Sequence, residues 1–422
     1  MGARTGAGRR RHGKRLSFIA VGVVSAVVLV SAPGYTAGVV RDGDPPGALP
    51  SAPAAPGAPM ASVGPVAPAA SPDPAPDSAP APAPAAPGKA PAFGAYLHYG
   101  PPGVRRIDEL SQWLGGAELR VGHTYLPGDL WSNIEGAPGF LDAWATWRKE
   151  KDDRLFVLNV PMLERNEEGL DDDEVAGLLR QGADGRFDHH FRALAERLVD
   201  LGVPDTVIVP GWEMNGTTYT HRCGPDPESW KKYWSRIVTT MRSVAGQKFQ
   251  FDFTPSRGRD AVPWTQCYPG DDVVDIIGMD SYDQPRGMSF DEQVAEPYGL
   301  QQHVDFAAAH KKPISYPEWG LFRNGDNEEY MRRMLKWMDE KKPLYNTVTD
   351  YCPHGVWQCK ENPAASKVYR DLLSGRDGTP SVPTAPALPP GCSPVDLGDW
   401  AEHWLGGKLC LRFDWWKGTD RS

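Results

Sequence analysis

Between residues 92 and 375, short apolar runs alternate with longer stretches in which apolar positions recur every three or four residues. The short runs predict eight strands, at 93–97, 118–122, 155–160, 206–210, 249–253, 273–278, 313–316 and 346–350. Between them, Phe187, Phe191, Leu194, Leu198 and Leu201 keep helical spacing, as do Trp230, Tyr233, Trp234, Ile237, Val238 and Met241. Asp226 followed by Pro227 supplies the second of these helices with an N-cap and a favoured first residue. A further amphipathic helix is expected after Asp326, with Tyr330, Met331, Met334 and Trp337 or Met338 on one side. Eight such units predict an α/β fold of the closed (β/α)8 barrel type, in which the chemistry sits at the C-terminal ends of the strands.

Outside this block the pattern changes. Residues 9–15 are basic, 16–32 apolar, and small residues follow, which is the layout of a signal peptide or an N-terminal anchor over residues 1–40. Residues 41–91 are dominated by Pro and Ala and read as a semi-extended linker, because they hold too few large apolar side chains to bury a core. A second Pro-rich linker, 376–391, separates the 92–375 domain from a tail, 392–422, that carries Trp400, Trp404, Trp415 and Trp416. The tail is expected to pack as a small disulfide-pinned lobe. The positive-inside bias places everything after residue 40 outside the cell membrane, either secreted or held there by the N-terminal segment alone.

The net charge is −9, while the first 40 residues hold six cations and no acid, so the remainder carries −15. An acidic body of this kind excludes nucleic acid and an anionic membrane surface as expected partners. Six cysteines fit an oxidising compartment. The sequential pairing Cys223 with Cys267, Cys352 with Cys359 and Cys392 with Cys410 is the expected one, and none of these spacings is that of a zinc knuckle.

Two carboxylates close apolar strands: Glu213, in Pro210-Gly211-Trp212-Glu213-Met214-Asn215-Gly216, and Glu318, in Tyr316-Pro317-Glu318-Trp319-Gly320. They fall on strands four and seven, opposite one another across a barrel mouth. Glycoside hydrolysis needs that arrangement, with one carboxyl protonating the leaving oxygen and the other supporting or attacking the anomeric carbon. The bland alternative for each is a structural carboxylate or a loop cap.

The pair is similar to that of the retaining (β/α)8 glycosidases, and its surroundings most resemble family 26 of the glycoside hydrolases, the mannanase family, in which Glu-Met-Asn-Gly or Glu-Phe-Asn-Gly follows strand four. Tyr268-Pro269-Gly270-Asp271 and the later Gly278-Met279-Asp280-Ser281-Tyr282 resemble the strand-six segment of that family. The resemblance covers about residues 93–373. It implies that Glu213 is the acid/base, that Glu318 is the nucleophile, and that Tyr282 hydrogen-bonds the nucleophile. It also implies a tryptophan beneath the reactive sugar, for which Trp357 is the nearest candidate. One departure is Trp212, where the mannanases of the family usually carry His.

Asn215, Trp212, Trp319 and Trp357 are the candidate substrate-binding or supporting residues, and Trp264 is a further ring that can stack on a sugar. Trp230 and Trp234 read as core. His98 and His123 are weaker candidates for lining the cleft, whereas His189 and His190 read as exposed surface. The acidic run 171–174 lacks the spacing of a calcium loop and reads as the start of a helix. The expected activity is retaining hydrolysis of a β-linked polysaccharide, with β-1,4-mannan ahead of other β-glucans or xylans, by a monomer needing neither cofactor nor metal. The alternatives are a non-hydrolytic polysaccharide-binding or assembly protein and a transglycosylase acting on the producer's own extracellular glycan.

Overall fold

A strand packed on both faces needs apolar residues throughout rather than alternating ones, and Val207–Pro210 is buried at every position. Strands of this kind form the centre of the computed structural model, which describes residues 91–378 together with two short strands near the C-terminus. In chain order they are β1 (Ala92–Tyr96), β2 (Val121–Tyr125), β3 (Leu155–Val160), β4 (Val207–Pro210), β5 (Gln250–Phe253), β6 (Ile276–Gly278), β7 (Ser281–Tyr282), β8 (Ile314–Gly320) and β9 (Tyr345–Thr349). Each pairs in parallel with its neighbour from β1 to β6; β6 pairs with β8, β8 with β9, and β9 with β1. The two-residue β7 continues the sixth strand beside the upper end of β8. The result is a closed eight-stranded barrel with helices outside it, as the sequence predicts.

Several expected boundaries move for identifiable reasons. The second strand runs from 121 to 125 rather than from 118 to 122, because His123 lies inside the barrel, where a polar side chain is tolerated if it finds a partner. His123 finds two, Asn159 and Thr347, each at 3.0 Å. The seventh strand extends beyond the expected Tyr316 to Gly320, crossing Pro317 where the register against β9 is irregular. A proline breaks a ladder least at such an irregularity.

The helices follow the apolar spacing. Asp188–Asp200 buries Phe191, Leu194 and Leu198, and Pro227–Arg242 buries Trp230, Tyr233, Trp234, Ile237, Val238 and Met241. Asp226 caps the second of these, accepting from Ser229 N at 3.1 Å. The helix expected after Asp326 is Glu328–Lys341 and is capped by Asn327. Asp326 itself accepts from Ala364 N and Ala365 N and so caps the final helix, Pro363–Leu373. The acidic run opens Asp172–Ala183, with Asp171 accepting from Glu174 N at 2.8 Å. His190 departs from its expected exposure: its ring stacks on Trp131 at 4.1 Å and its Nδ1 lies 2.6 Å from Glu135.

Two of the expected disulfides are present, Cys223–Cys267 and Cys352–Cys359. The first joins the loop after β4 to a turn of 3-10 helix, Trp264–Cys267, after β5. The second closes the loop that leaves β9. The expected pair Cys392–Cys410 depends on Cys392, which lies outside the described residues, as do the N-terminal segment, the Pro/Ala linker and the four tail tryptophans. In the tail, Ser393–Pro394 and Cys410–Leu411 pair antiparallel. Among the described residues no helix is long and apolar enough to cross a membrane.

The barrel strands approach so closely that some positions accept only glycine. A Cβ on Gly94 in β1 would stand 2.0 Å from the carbonyl oxygen of Val121 in β2. Gly94→Ala is therefore expected to destabilise the fold by about 3 kcal/mol, the upper part of the usual range for overpacking. Urea unfolding monitored by circular dichroism measures this, and an unchanged midpoint would show that β1 and β2 part without cost.

Candidate active site

The turn after β4 determines where Glu213 points. Gly211 and Glu213 both have positive φ, 62° and 51°, on either side of Trp212, and the Glu213 amide donates to Thr254 O at 2.8 Å. A non-glycine residue with this backbone is costly and persists only where its surroundings hold it. Two groups do so. Asn215 donates from Nδ2 to Ser256 O at 3.0 Å and accepts from Ser256 N at 2.9 Å, and the Cys223–Cys267 disulfide ties the same two loops together. Asn215 thus clasps the loops after β4 and β5 and is fully buried, so its amide serves the backbone rather than a ligand.

Glu318, in β8, is 7% exposed and surrounded by donors. Tyr282 donates its hydroxyl to Oε2 at 2.6 Å, as the family resemblance implies, and lies 2.8 Å from the Thr349 hydroxyl. Asn159 donates from Nδ2 to Oε1 at 3.3 Å, and Tyr125 also hydrogen-bonds this carboxylate. Behind Asn159 stands His123, whose pKa burial lowers to about 4, so the ring is neutral at pH 7. A neutral ring donates from one nitrogen and accepts at the other. Donation from Nε2 to Asn159 Oδ1 orients the amide so that its N–H bonds face Glu318. His123 is thus buried beneath the site instead of lining it.

Burial raises the pKa of both glutamates, and their neighbours then separate them. Glu213 is pushed up to about 8, first by burial, then by the negative charge of Glu318, then by Asp260. Burial therefore outranks the like charge that sequence reasoning would invoke first. Among the described residues no donor opposes this shift. Glu318 is also raised by burial, but Tyr125, Tyr282 and Asn159 pull it back. Asp280, buried beside them, is pushed well above the carboxylate range by burial and by the charges of Glu318 and Glu213. Among the described residues the site thus pairs a carboxyl that nothing but burial and like charge acts on with one whose anion three donors favour against burial.

A cavity of about 570 Å³ opens onto Glu318. Its inner wall is aromatic, formed by Tyr96, Tyr125, Trp212, Tyr219 and Tyr351, and His98 also lines it. Trp212 is 4% exposed, and its ring packs against Tyr125 at 5.4 Å, Tyr219 at 5.0 Å and His221 at 5.0 Å. Trp319 and Trp264 are fully buried, with their indole N–H groups on Asn346 Oδ1 and Tyr298 O, so neither offers a face to a sugar. Trp357 packs partly buried against the core; the cavity-lining residues of its loop are Tyr351 and Gln358. Sequence reasoning missed Tyr96, Tyr125 and Asn159. The first two end β1 and β2, and the rule that barrel chemistry sits at strand ends would have found them.

Comparison with known proteins follows the same lines. Residues 192–373 match the sequence model of glycosyl hydrolase family 26. The mannan endo-1,4-beta-mannosidase of Bacillus subtilis (strain 168) is 26% identical over 183 residues, 38% of this chain and 46% of that protein, so the chain spans about half the length of the curated relative it matches. Among solved structures, the catalytic domain of the Bacillus sp. JAMB-750 GH26 endo-beta-1,4-mannanase is 16% identical with a TM-score of 0.52, covering 67% of this chain and 85% of that one. A modular endo-beta-1,4-mannanase from Cellulomonas fimi is 18% identical with a TM-score of 0.51, covering 72% and 76%. At these identities the structures establish the barrel fold. The sequence match carries the family resemblance over residues 192–373.

Proposed function

We propose, from a barrel that matches glycosyl hydrolase family 26 over residues 192–373, that this protein hydrolyses a β-linked polysaccharide with retention of configuration, β-1,4-mannan being the first expected substrate. The observation that carries the proposal is the pair of glutamates on β8 and in the turn after β4: Glu318 accepts hydrogen bonds from Tyr282, Asn159 and Tyr125, while burial and the charges of Glu318 and Asp260 push the pKa of Glu213 up to about 8.

In the first step Glu318 attacks the anomeric carbon while Glu213 passes its proton to the departing glycosidic oxygen, leaving a glycosyl ester on Glu318. In the second, the Glu213 carboxylate takes a proton from water as the water oxygen attacks the same carbon. That releases the sugar and restores both groups to their starting states. The aromatic wall offers π surface to pyranose rings. Two carboxyls suffice for this chemistry, so no cofactor enters the scheme.

The protein is further proposed to work as a monomer outside the cytoplasmic membrane. The basic and apolar segment at residues 9–32 supports that placement, and so do the two disulfides.

Incubation of the purified protein with mannan, glucomannan, lichenan, xylan and cellulose tests the proposal. New reducing ends are expected from mannan or glucomannan. Binding without new reducing ends on any polymer would remove the hydrolase reading, and products longer than an oligosaccharide substrate would identify a transglycosylase.

A further inference from the structure

The direction of the Glu213 carboxyl depends on one peptide unit, the one that joins Trp212 to Glu213, because rotation of that plane swings the side chain that follows it. Its N–H donates to Thr254 O at 2.8 Å, in the loop after β5. Its C=O, on the opposite edge of the trans plane, is held by a side chain: His221 Nε2 lies 2.9 Å from Trp212 O. A carbonyl oxygen only accepts, so the His221 hydrogen sits on Nε2. The plane is therefore pinned at both edges, and the positive φ of Glu213, 51°, is kept.

His221 is itself firmly placed. It is fully buried, and its neighbours in the chain are anchored: Thr220 N donates to Asn166 O at 2.8 Å, and Cys223 N donates to Met214 O at 2.7 Å while its sulfur is bonded to Cys267. The Trp230 indole donates to His221 O at 2.7 Å. The imidazole packs against the rings of Trp212 and Tyr219, each at 5.0 Å. Burial lowers its pKa to about 3 against the pull of the Trp212 carbonyl, so the ring is neutral at pH 7. A neutral ring with its hydrogen on Nε2 has a bare Nδ1, and that nitrogen is buried without a hydrogen-bond partner. An open buried acceptor costs free energy that an apolar ring of similar shape would not incur. The polar interaction that the imidazole ring makes is the N–H on Trp212 O.

We propose that His221 is a positioning residue for the acid/base: its Nε2–H, by holding the Trp212 carbonyl, aims the Glu213 carboxyl at the glycosidic oxygen. The inference rests on the hydrolase reading and adds to it a residue from outside the cavity lining. The ring has a second, separable role, since it backs Trp212 and Tyr219, which do line the cavity. Without the donor the peptide plane is free to rotate, and a misplacement of about 1 Å in a reacting group costs up to about a hundredfold in rate. Attack by Glu318, which β8 carries, does not depend on that plane.

Three variants separate the donor from the ring. His221→Phe keeps a ring and removes the donor, His221→Ala removes both without adding bulk to the core, and His221→Gln keeps an N–H at the reach of Nε2. Each is compared with the wild type in kcat/KM on the phenyl and the 2,4-dinitrophenyl β-glycosides of one disaccharide, mannobiose first. This constant covers the steps up to the glycosyl ester, in which dinitrophenolate leaves without a proton and phenolate takes one from Glu213. The ratio of the phenyl to the dinitrophenyl value is expected to fall by about tenfold or more in His221→Phe and His221→Ala and to stay within about twofold of the wild type in His221→Gln. An unchanged ratio in His221→Ala, whether both constants hold or both decline together, would overturn the proposal, and so would a ratio that falls as far in His221→Gln as in His221→Ala. A wild type inactive on both glycosides and on the polymer panel would overturn the hydrolase reading and the positioning role with it.

Discussion

Glu318→Ala is expected to lower kcat by about four orders of magnitude or more, and Glu213→Ala by about two to four on substrates whose leaving group needs a proton. The two losses differ in kind. Without Glu318 no glycosyl ester forms. Without Glu213 the ester forms when the leaving group is a good one such as 2,4-dinitrophenolate, and then accumulates, because no base activates water. Azide separates the two. In the Glu213 variant it attacks the glycosyl ester from the vacated face and yields a glycosyl azide of retained configuration. In the Glu318 variant it occupies the cavity left by the carboxylate, attacks the substrate directly and yields the inverted azide. Proton NMR of the anomeric products distinguishes them. The reverse stereochemistry would exchange the two roles, and full activity in both variants would remove these residues from the mechanism.

The pH dependence of kcat/KM is expected to be a bell whose upper limb falls near pH 8. Glu213 must hold its proton in the free enzyme, and burial together with the charges of Glu318 and Asp260 pushes its pKa to about 8. As pH rises through that value the acid is lost, and the rate drops tenfold per unit above it. The lower limb belongs to Glu318, which must be ionised to attack. Burial raises its pKa against the pull of Tyr125, Tyr282 and Asn159, and the rate falls as acidification protonates it. Tyr282→Phe removes one of the donors that stabilise the anion and is expected to move the lower limb to higher pH while leaving the upper one near 8. A profile flat from pH 7 to 10 on an unactivated substrate would show that Glu213 is not the proton donor.

The strand and helix pattern was legible because burial imposes it locally. Val207–Pro210 and Pro227–Arg242 each carry their environment in their own spacing. Glu213 and Glu318 stood out for the complementary reason, as charges ending apolar strands. What the pattern could not reveal was the partner of each side chain. His123 is isolated in sequence yet sits behind Asn159, 36 residues on, which in turn faces Glu318 a further 159 residues on. Trp319 shows the converse, since a strand-end tryptophan faces the helices or the cleft according to a register that composition does not encode, and Trp264, in the turn after β5, is buried as well. Asn215, too, was placed by motif, and in the folded protein it clasps two loops, while Trp357 packs partly buried against the core.

The sequence by itself therefore determined the barrel and the two carboxyls at C-terminal strand ends, and favoured without fixing the pairing of two disulfides, because apolar periodicity and strand ends are local quantities whereas a cysteine's partner is not. Only the tertiary structure decided which donors surround each carboxyl, which aromatic rings reach the cleft and which tryptophans are buried in the core. Those depend on burial and on contacts between residues far apart in the chain, and the closed barrel brings them within hydrogen-bonding distance.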